Sequence, residues 1–575
     1  MIGARHGPAP AAPPLPPPHA ELQAVVVVPA RDEAARIGAC LRALRDQQGV
    51  GADSFELMVV LDGCGDGTLE LVREAAGAAG QPRVHAVVLA QRHGVGRARR
   101  LGMDIACERL LRARCGERGL IASTDADSTV APDWLRAQLE LAQAGAEAIG
   151  GLIELDAGER AALHPHALVL RERSAERRLR VAAGQGAGVP LEHHHFSGAS
   201  LALTVGAYVR CGGLPVRAAL EDEALARSLA AQGVAIHRSA DVRVRTSART
   251  DSRAPRGLGQ DLARADWRAR RSFAAGEFSL EGLLAAKRET ISLVLPAREV
   301  AGTIGSIAQI AARLLAAGLL DEALVVDADS ADGTAAVARR CGLRVAQESE
   351  LLCEHGRALG KGDAMWRGLA ATRGEIVVFA DTDTEDFHEG FLLGLIGPLL
   401  REREVQLVKG AFRRPFRSGA AMLAHGGGRV TELMARPLLN LHAPELTVFE
   451  QPLAGETAAR RALLERLPFS AGYGVEIAML IDAWRAVGMA GLAQVDLGTR
   501  QNRHQPLREL SAMAYAVLVA AQSRFLGQQL LDAHACESIF LAAGEDEASG
   551  ERRRVTIEER PPLLHAAPAA AALRA

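Results

Sequence analysis

The segment Gly374-Glu-Ile-Val-Val-Phe-Ala-Asp-Thr-Asp-Thr-Glu-Asp-Phe387 decides the fold class and the first candidate site. Its short apolar run is rich in β-branched residues, which is typical of a strand covered on both faces. The run ends in two carboxylates, Asp381 and Asp383, at the edge where open α/β sheets bind ligands. Two aspartates separated by one residue can hold a hard cation such as Mg²⁺ or Mn²⁺ that keeps open positions for phosphate oxygens. The segment therefore predicts a strand that leads into a metal and phosphate site.

Four sequence elements, of which this segment is the last, occur twice along the chain in the same order. Each copy has a strand with a Pro-Ala turn, a strand with a polar loop, a Gly-rich start of a helix, and a strand that ends in Asp-x-Asp. Strands that alternate with helices predict an α/β fold with a parallel sheet, and the order predicts a duplicated domain. Asp32 and Glu33 predict a helix N-terminus after the first strand. The elements lie at 24–33, 56–68, 93–102 and 119–128, and again at 291–299, 323–334, 359–368 and 374–387.

Length and composition exclude several classes of protein. A chain of 575 residues is too long for one core, so two or more domains are expected. The net charge of −2 gives no electrostatic case for a nucleic-acid partner. Eight cysteines without a C-x-x-C pair fit a reducing cytoplasm, and no apolar run approaches the roughly 20 residues that a membrane span needs. We expect a cytoplasmic protein without a signal peptide or a membrane span.

Changes in composition predict five segments. The two copies form the domains, and biased or charged sequence separates and flanks them. The segments are a disordered Pro/Ala-rich arm (1–20), the first domain (21–255), a charged helical linker (256–289), the second domain (290–525) and a partly disordered C-terminal extension (526–575).

The second copy carries further groups suited to anions. Lys361 lies in a Gly-Lys-Gly loop at a helix start, where backbone donors, the helix dipole and the ammonium favour a diphosphate; a flexible turn is the alternative. Arg429 and Thr431 follow three glycines that allow close backbone approach, and can hold a carboxylate or phosphate. A surface loop before a helix is the alternative there. Glu476 begins an apolar helix, and the imidazole of His504 suits a third metal ligand, although a lone histidine is more often structural.

Several longer motifs make residues 290–525 resemble a known family. They are Gly360-Lys-Gly-Asp-Ala-Met-Trp-Arg367, Asp381-Thr-Asp383, Arg413-Arg-Pro415, Gly426-Gly-Gly-Arg-Val-Thr-Glu-Leu433, Gln451-Pro-Leu-Ala-Gly-Glu456 and Gly472-Tyr-Gly-Val-Glu-Ile477. The family is that of the glucosyl-3-phosphoglycerate synthases, which are retaining glycosyltransferases of the GT-A fold.

The resemblance implies transfer of glucose from UDP-glucose to 3-phosphoglycerate with Mg²⁺ or Mn²⁺, and it implies a homodimer. A different donor or acceptor, such as mannose or plain glycerate, is the alternative. The residues that the resemblance assigns fall into four groups. They are Pro296, Ala297, Asp329, Lys361, Asp381 and Thr382 for the donor; Gly428, Arg429, Thr431, Tyr473 and Asn502 for the acceptor; Asp383 and Glu476 for catalysis; and Asp383 with His504 for the metal.

The sequence departs from this family at two places. Arg298-Glu299-Val300 follows Pro296-Ala297 where the family reads Leu-Asp-Glu, so base and ribose contacts are expected to differ. Asn502-Arg503-His504 stands where the family reads His-Arg-Asn. Either Asn502 occupies the ligand position or His504 reaches the metal, and imidazole is the better ligand beside two carboxylates.

The first copy, about 24–250, resembles family 2 glycosyltransferases, also of the GT-A fold, so the chain is expected to hold two tandem GT-A (Rossmann-like nucleotide-binding) domains. The resemblance implies that Asp62 and Asp66 face the nucleotide, Asp125 the donor and Asp127 the metal. It also makes Asp222 the general base of an inverting transfer. An acidic cluster at a helix start is the alternative for Asp222, and a non-catalytic binding or regulatory module is the alternative for the whole copy.

Overall fold

The chain divides into two compact units between Ala269 and Arg270, within the segment predicted as a linker. The structure is a computed structural model. None of the helices in its described part is long and apolar enough to cross a membrane. The residues that it describes are 15–77, 82–183, 192–217, 219–251, 256–414, 416–418, 421–423, 428–500, 507–527, 539–542 and 551–566.

The first unit is built on an eight-stranded sheet with the order β3-β2-β1-β4-β7-β6-β8-β5. Its strands are β1 (Ala24–Ala30), β2 (Phe55–Asp62), β3 (Arg83–Leu89), β4 (Leu120–Ser123), β5 (Ser128–Val130), β6 (Ala148–Leu155), β7 (Leu201–Thr204) and β8 (Ile236–Thr246). Its helices are α1 (Ile37–Arg45), α2 (Thr68–Ala76), α3 (Val95–Arg112), α4 (Trp134–Gln143), α5 (Ala157–Arg160), α6 (Pro165–Ala183), α7 (Val205–Arg210), α8 (Glu221–Ala231) and α9 (Leu258–Arg271).

The second unit has an eight-stranded sheet with the order β12-β11-β10-β13-β17-β14-β19-β9, and three described strand pairs outside it. Its strands are β9 (Ser272–Ala274), β10 (Ile291–Ala297), β11 (Glu322–Asp327), β12 (Arg344–Gln347), β13 (Ile376–Phe379), β14 (Leu407–Arg413), β15 (Phe416–Ser418), β16 (Ala421–Leu423), β17 (Thr457–Arg460), β18 (Phe469–Ser470), β19 (Leu492–Thr499), β20 (Ile539–Ala542), β21 (Glu551–Arg554) and β22 (Glu559–Arg560). Its helices are α10 (Leu280–Ala286), α11 (Ile304–Ala316), α12 (Thr334–Arg340), α13 (Lys361–Ala370), α14 (Glu389–Arg401), α15 (Arg436–His442), α16 (Arg461–Leu464), α17 (Val475–Val487) and α18 (Leu507–Leu526).

The two sheets match strand for strand over seven positions, as the predicted duplication requires, and differ in the edge strand, β5 or β9. The prediction of a parallel sheet is wrong for part of each. β17 runs antiparallel between β13 and β14, and β7 does the same between β4 and β6. An antiparallel strand brings its amino end to the edge where its parallel neighbours have their carboxyl ends. Residues just before β7 and β17 therefore reach the ligand-binding edge.

The predicted helix start at Asp32 and Glu33 is also wrong. α1 begins at Ile37, four residues after Glu33, and Asp32 lies in the preceding turn with φ +53°. Glu33 is buried and its carboxylate pairs with Arg249 instead. Glu299, in the matching turn of the second unit, has φ +51°, so both units strain a non-glycine residue at this turn.

Helix α13 packs directly on the sheet through a glycine. A Cβ on Gly368 would lie 2.4 Å from Cγ1 of Val294 in β10, so only glycine permits this approach. Gly102 in α3 meets Val27 of β1 in the same way, also at 2.4 Å. The close packing fixes the start of each helix over the carboxyl ends of the central strands.

Part of the C-terminal extension belongs to the second unit. β22 pairs with β18, and Trp366 Nε1 donates a hydrogen bond to the Pro561 carbonyl over 2.9 Å. Residues 15–20 of the predicted disordered arm (1–20) are described, and Arg109 Nη1 donates to the Pro16 carbonyl over 2.9 Å. The rest of the arm and of the extension, residues 1–14, 528–538, 543–550 and 567–575, lies outside the described residues. Ser272–Ala274, in the predicted linker, is the edge strand β9.

Candidate active site

Lys361 is the first residue of α13 and connects two carboxylates in the second unit. Its Nζ lies 2.5 Å from Asp381 Oδ1 and 2.7 Å from Glu476 Oε1. Burial lowers the pKa of Lys361, but Asp381 and Glu476 outweigh it and raise that pKa above its ordinary value. The pKa of Asp381 is lowered in spite of its burial, by Lys361 and Arg500. Both groups are therefore held in their charged forms at neutral pH.

Arg500 directly follows β19 and contacts three carboxylates. Its Nη2 lies 3.1 Å from Asp381 Oδ2 and 3.1 Å from Asp383 Oδ1, and its Nη1 lies 2.5 Å from Glu456 Oε1. The Arg500 side chain is 1% exposed and that of Glu456 is fully buried, whereas the Asp383 side chain is 62% exposed. Asp383 is thus the carboxylate of the Asp-x-Asp pair that solvent and ligands reach.

Gly455 leaves the space that the Asp381 carboxylate occupies. A Cβ at this position would lie 2.1 Å from Asp381 Oδ1, which no side chain tolerates. The contact follows from register, because Phe379 of β13 pairs with Thr457 of antiparallel β17. Gly455 and Glu456, which precede β17, are therefore brought beside Asp381 and Arg500.

The residues predicted to line the donor lie at two places. Thr382 Oγ1 donates to the Pro296 carbonyl over 2.7 Å, which ties the Asp-x-Asp turn to the end of β10, where buried Ala297 lies. Asp329 is exposed, has φ +53°, and accepts a hydrogen bond from Ser349 Oγ over 3.2 Å. The structure brings Pro296, Ala297 and Thr382 to the Asp-x-Asp pair, and places Asp329 in the loop after β11.

The predicted acceptor residues are only partly described. Gly428 has φ +75°, Thr431 is buried and Arg429 is partly buried. Tyr473, three residues before Glu476, is 52% exposed and available to a ligand. Asn502 and His504 lie outside the described residues, so the choice of the third metal ligand stays a prediction.

The first unit has a cluster of the same kind. Arg99 Nη2 lies 2.7 Å from Asp125 Oδ1, and Arg99 Nε lies 3.4 Å from Glu221 Oε1. Arg249, which follows β8 as Arg500 follows β19, has its Nη2 2.9 Å from Asp127 Oδ2. Burial and then Asp125 raise the pKa of Asp127 to about 6.

Asp222 joins this cluster from the start of α8. Its Oδ2 accepts a hydrogen bond from the Gly198 amide over 3.2 Å, and its Oδ1 accepts from the Glu223 amide over 2.8 Å. Burial raises the pKa of Asp222, with a smaller contribution from Asp125, so the two carboxylates are electrostatic neighbours. Arg99 Nη1 donates to the Gly198 carbonyl over 3.0 Å and Arg99 Nη2 donates to Asp125 Oδ1, so the structure brings Asp222 to the cluster of Asp125 and Asp127.

Asp62 and Asp66, predicted to face the nucleotide, have backbone partners in the structure. The two oxygens of Asp62 accept hydrogen bonds from the His93 and Gly94 amides over 2.7 and 2.9 Å. Asp66 accepts from the Ala34 amide over 3.0 Å. Both carboxylates fasten loops at the ligand-binding edge, and a nucleotide contact by either stays a prediction.

The donor set of the second unit fits a hard cation that is shared with a ligand. Among the described residues, no group of three histidine, cysteine or acidic side chains is placed to hold a metal ion. Mg²⁺ and Mn²⁺ accept one or two carboxylates and complete their shells with phosphate oxygens and water. The carboxylate of Asp383 fits this role because it is exposed and Arg500 contacts its Oδ1, which leaves Oδ2 for a metal, whereas Lys361 and Arg500 contact both oxygens of Asp381.

Comparison with known proteins finds the same family in both units. The family model described as "Glycosyl transferase family 2" matches residues 25–202 and 292–437. The chain belongs to glycosyl transferase family 2. It is therefore a glycosyltransferase, as the sequence predicts, and the two matched ranges fall one in each compact unit.

Several relatives within this family are glucosyl-3-phosphoglycerate synthases, which confirms the predicted resemblance. The enzyme of Mycolicibacterium paratuberculosis is 43% identical over 303 residues, which cover 52% of this chain and 91% of that relative. The enzyme of Petrotoga mobilis is 42% identical over 253 residues, which cover 43% of this chain and 77% of that relative. About half of this chain thus corresponds to nearly the whole length of the first relative.

Two solved structures are similar to the same extent. One is a mannosyl-3-phosphoglycerate synthase from Rubrobacter xylanophilus, with 44% identity, a TM-score of 0.46, and coverage of 52% of this chain and 99% of that one. The other is the glucosyl-3-phosphoglycerate synthase of Mycobacterium tuberculosis in complex with Mn²⁺, UDP-glucose and phosphoglyceric acid. It has 41% identity and a TM-score of 0.45, and covers 50% of this chain and 95% of that one.

Sequence reasoning assigned no role to Arg500, Glu456, Arg99 or Arg249. A usable signal existed for the two arginines after β19 and β8, because a charged residue just past a strand has the position that drew attention to Asp381. Glu456 lies in one of the motifs that carry the family resemblance, but the sequence gives no sign of its partner, because the antiparallel course of β17 is not evident from it.

Proposed function

We propose that the second unit transfers glucose from UDP-glucose to 3-phosphoglycerate with retention of configuration, giving glucosyl-3-phosphoglycerate. We further propose that the chain is a cytoplasmic homodimer of two tandem GT-A domains. The observation that carries the proposal is the cluster of Lys361, Asp381 and Arg500 at the carboxyl ends of the central strands, beside exposed Asp383. The relatives named glucosyl-3-phosphoglycerate synthases, 41–44% identical in six of the seven matches, support the substrate assignment.

The charges of the cluster suit a nucleoside diphosphate. Lys361 and Arg500 now neutralise Asp381, and each can instead donate to diphosphate oxygens, as ammonium and guanidinium groups do at phosphate sites. Asp383, with His504 or Asn502, would hold Mg²⁺ or Mn²⁺, which supplies Lewis-acid stabilisation of the leaving diphosphate when bound. The Thr382 bond to Pro296 aligns this turn with the strand end proposed to line the nucleotide base.

The acceptor hydroxyl is proposed to attack the sugar from the face that the diphosphate leaves. Glu476 is not an evident nucleophile, because it is buried and its Oε1 pairs with Lys361 at 2.7 Å. A covalent intermediate on Glu476 is therefore disfavoured, and the acceptor proton passes to the leaving phosphate oxygen. Glu476 acts near the sugar by fixing Lys361, while Gly428, Arg429, Thr431 and Tyr473 with Asn502 hold the acceptor.

We propose that the first unit catalyses a second sugar transfer, with inversion of configuration. Its charged side chains are arranged like those of the second unit. Arg99 bridges Asp125 and Glu221 as Lys361 bridges Asp381 and Glu476. Asp222 is the proposed general base, because burial raises its pKa and it lies in the field of Asp125. Asp127 would share the metal there, and the sugar donor and acceptor are unassigned.

A product assay on the full chain tests the proposal. Purified protein with Mg²⁺ or Mn²⁺ is given UDP-glucose, GDP-glucose or GDP-mannose, each with 3-phosphoglycerate or with glycerate. Proton NMR of the product reads the anomeric configuration. We expect an α-glucosyl product from UDP-glucose and 3-phosphoglycerate. If GDP-mannose is the donor that gives product and UDP-glucose is not, the donor assignment is wrong. If glycerate is the acceptor that gives product and 3-phosphoglycerate is not, the acceptor assignment is wrong.

A further inference from the structure

A second, partly buried arginine lies beside Arg500 in the second unit. Arg414 follows β14, and its guanidinium carbon is 4.9 Å from the centroid of the Phe412 ring. The guanidinium carbon of Arg500 is 5.2 Å from the centroid of the same ring. Two cations therefore share one aromatic neighbour at the carboxyl end of β14. Such neighbours repel each other unless each has an anion of its own.

The available carboxylates surround only one of the two cations. Arg500 contacts Asp381, Asp383 and Glu456, and these raise its pKa in spite of burial. In the part of the chain that the structure describes, the buried Nε of Arg414 has no hydrogen-bond partner; the Nε of Arg500 has none either, but the Arg500 guanidinium contacts three carboxylates. Burial, and then Arg500, lower the pKa of Arg414 below its ordinary value.

An incompletely compensated cation in such a place favours the binding of an anion. Leaving a buried donor unsatisfied costs about 1–3 kcal/mol, and more for a charged group. An anionic ligand that accepts from this guanidinium removes that cost on binding. Arg414 thus differs from Arg500, which has the carboxylates of Asp381, Asp383 and Glu456 as its counter-charges.

Arg414 runs alongside the loop proposed to hold the acceptor. A Cβ placed on Gly428 would lie 3.9 Å from Arg414 Cδ and 3.8 Å from Thr431 Oγ1. The side chain of Arg414 and the hydroxyl of Thr431 therefore both lie next to Gly428. The charges of Glu456, Asp381 and Asp383 raise the pKa of Arg414, but less than burial and Arg500 lower it.

We propose that Arg414 binds the phosphate or carboxylate group of the acceptor, beside Gly428 and Thr431. The inference rests on the proposed function, which supplies an acceptor with both anionic groups. A guanidinium binds either group through two parallel hydrogen bonds. The donor diphosphate offers the same chemistry, so the test separates the two ligands.

The test compares Arg414→Gln and Arg414→Lys with the control Arg413→Gln, which changes the exposed neighbour at the end of β14. Steady-state kinetics give KM for UDP-glucose and for 3-phosphoglycerate. Titration calorimetry gives the affinity for 3-phosphoglycerate, for glycerate, which lacks the phosphate, and for glycerol 3-phosphate, which lacks the carboxylate. Thermal unfolding checks that each variant is folded.

Arg414→Gln is expected to raise KM for 3-phosphoglycerate at least tenfold and KM for UDP-glucose less than twofold, with an intermediate effect for Arg414→Lys. Loss of affinity for glycerol 3-phosphate but not glycerate would identify the phosphate, and the reverse loss the carboxylate. An unchanged affinity for all three compounds, or a tenfold rise in KM for UDP-glucose alone, would overturn the proposal. If the wild type makes no product, the proposed function fails, while calorimetry still decides whether Arg414 binds the anion.

Discussion

Arg560 in the C-terminal extension and Asp363 in the first turn of α13 form a double ion pair. Arg560 Nε lies 2.7 Å from Asp363 Oδ1, and Arg560 Nη2 lies 2.9 Å from Asp363 Oδ2. The Asp363 side chain is fully buried, and its Oδ2 also accepts from the Leu359 amide over 2.9 Å. Arg560 Nη1 donates to the His355 carbonyl over 2.6 Å. The extension thus fastens the loop that leads into Lys361.

Replacing Arg560 with Gln is expected to weaken both the fold and the donor site. It leaves buried Asp363 with Arg367 as its remaining cationic partner, at 3.1 Å, and frees the loop around His355. Breaking a buried ion pair from one side costs about 3–5 kcal/mol, which urea denaturation would measure as a lower free energy of unfolding. KM for UDP-glucose should rise because Lys361 loses its support. Exposed Arg554→Gln is the control, and equal behaviour of the two variants would show that the extension has no such role.

Gly455→Ala is expected to reduce kcat/KM about 100-fold, because small displacements of a catalytic group have effects of that size. The new Cβ would lie 2.1 Å from Asp381 Oδ1 and push the carboxylate away from Lys361 and Arg500. Gly302→Ala is the matched control, since a Cβ there meets nothing within 4 Å. If Gly455→Ala retains wild-type kcat/KM while folded, the placement of Asp381 in the donor site is wrong.

Asp383→Ala is expected to abolish turnover by the second unit and leave the melting temperature nearly unchanged, because the side chain is 62% exposed. Mn²⁺ binding, followed by electron paramagnetic resonance in the presence of UDP, should weaken in parallel. Glu385→Ala removes an exposed carboxylate two residues away and serves as the control. An active Asp383→Ala variant would remove the basis for metal binding at this pair.

Much of the fold could be predicted because buried parallel strands have distinctive sequences. The run Ile291–Ala297 is β10 as predicted, and Ala24–Ala30 is β1. β17 (Thr457–Arg460) is short and lacks a β-branched apolar run, so neither its existence nor its direction was evident. Its antiparallel register brings Glu456 to Arg500, and that ion pair could not be derived without it.

The two cation positions show a second limit of sequence comparison. Matching Gly96 with Gly362 places Val95 of α3 opposite Lys361 of α13, so a comparison by position alone finds no cation in the first copy. The structure supplies Arg99 instead, one helical turn further along. Helical side chains lean toward the N-terminus, so a longer arginine placed one turn later can reach the same carboxylate. Both units thus pair a cation with the first aspartate of Asp-x-Asp, but the cation comes from different positions of the helix, which residue-by-residue matching does not detect.

The stability of the second unit is expected to fall between pH 4.5 and about 7 because of Glu348. Burial, and then the nearby Asp363, raise the pKa of Glu348 from 4.5 to about 7. In this range the folded protein keeps the proton that the unfolded chain has released, so the free energy of unfolding decreases as pH rises. The shift corresponds to about 3 kcal/mol of stability, which is fully present below pH 4.5 and lost above pH 7. Glu348→Gln should therefore match the wild type in urea denaturation at pH 4.5 and exceed it by that amount at pH 8, while exposed Glu350→Gln should match it at both. A constant difference between Glu348→Gln and the wild type across this range would mean that Glu348 titrates at its ordinary pKa in the folded protein.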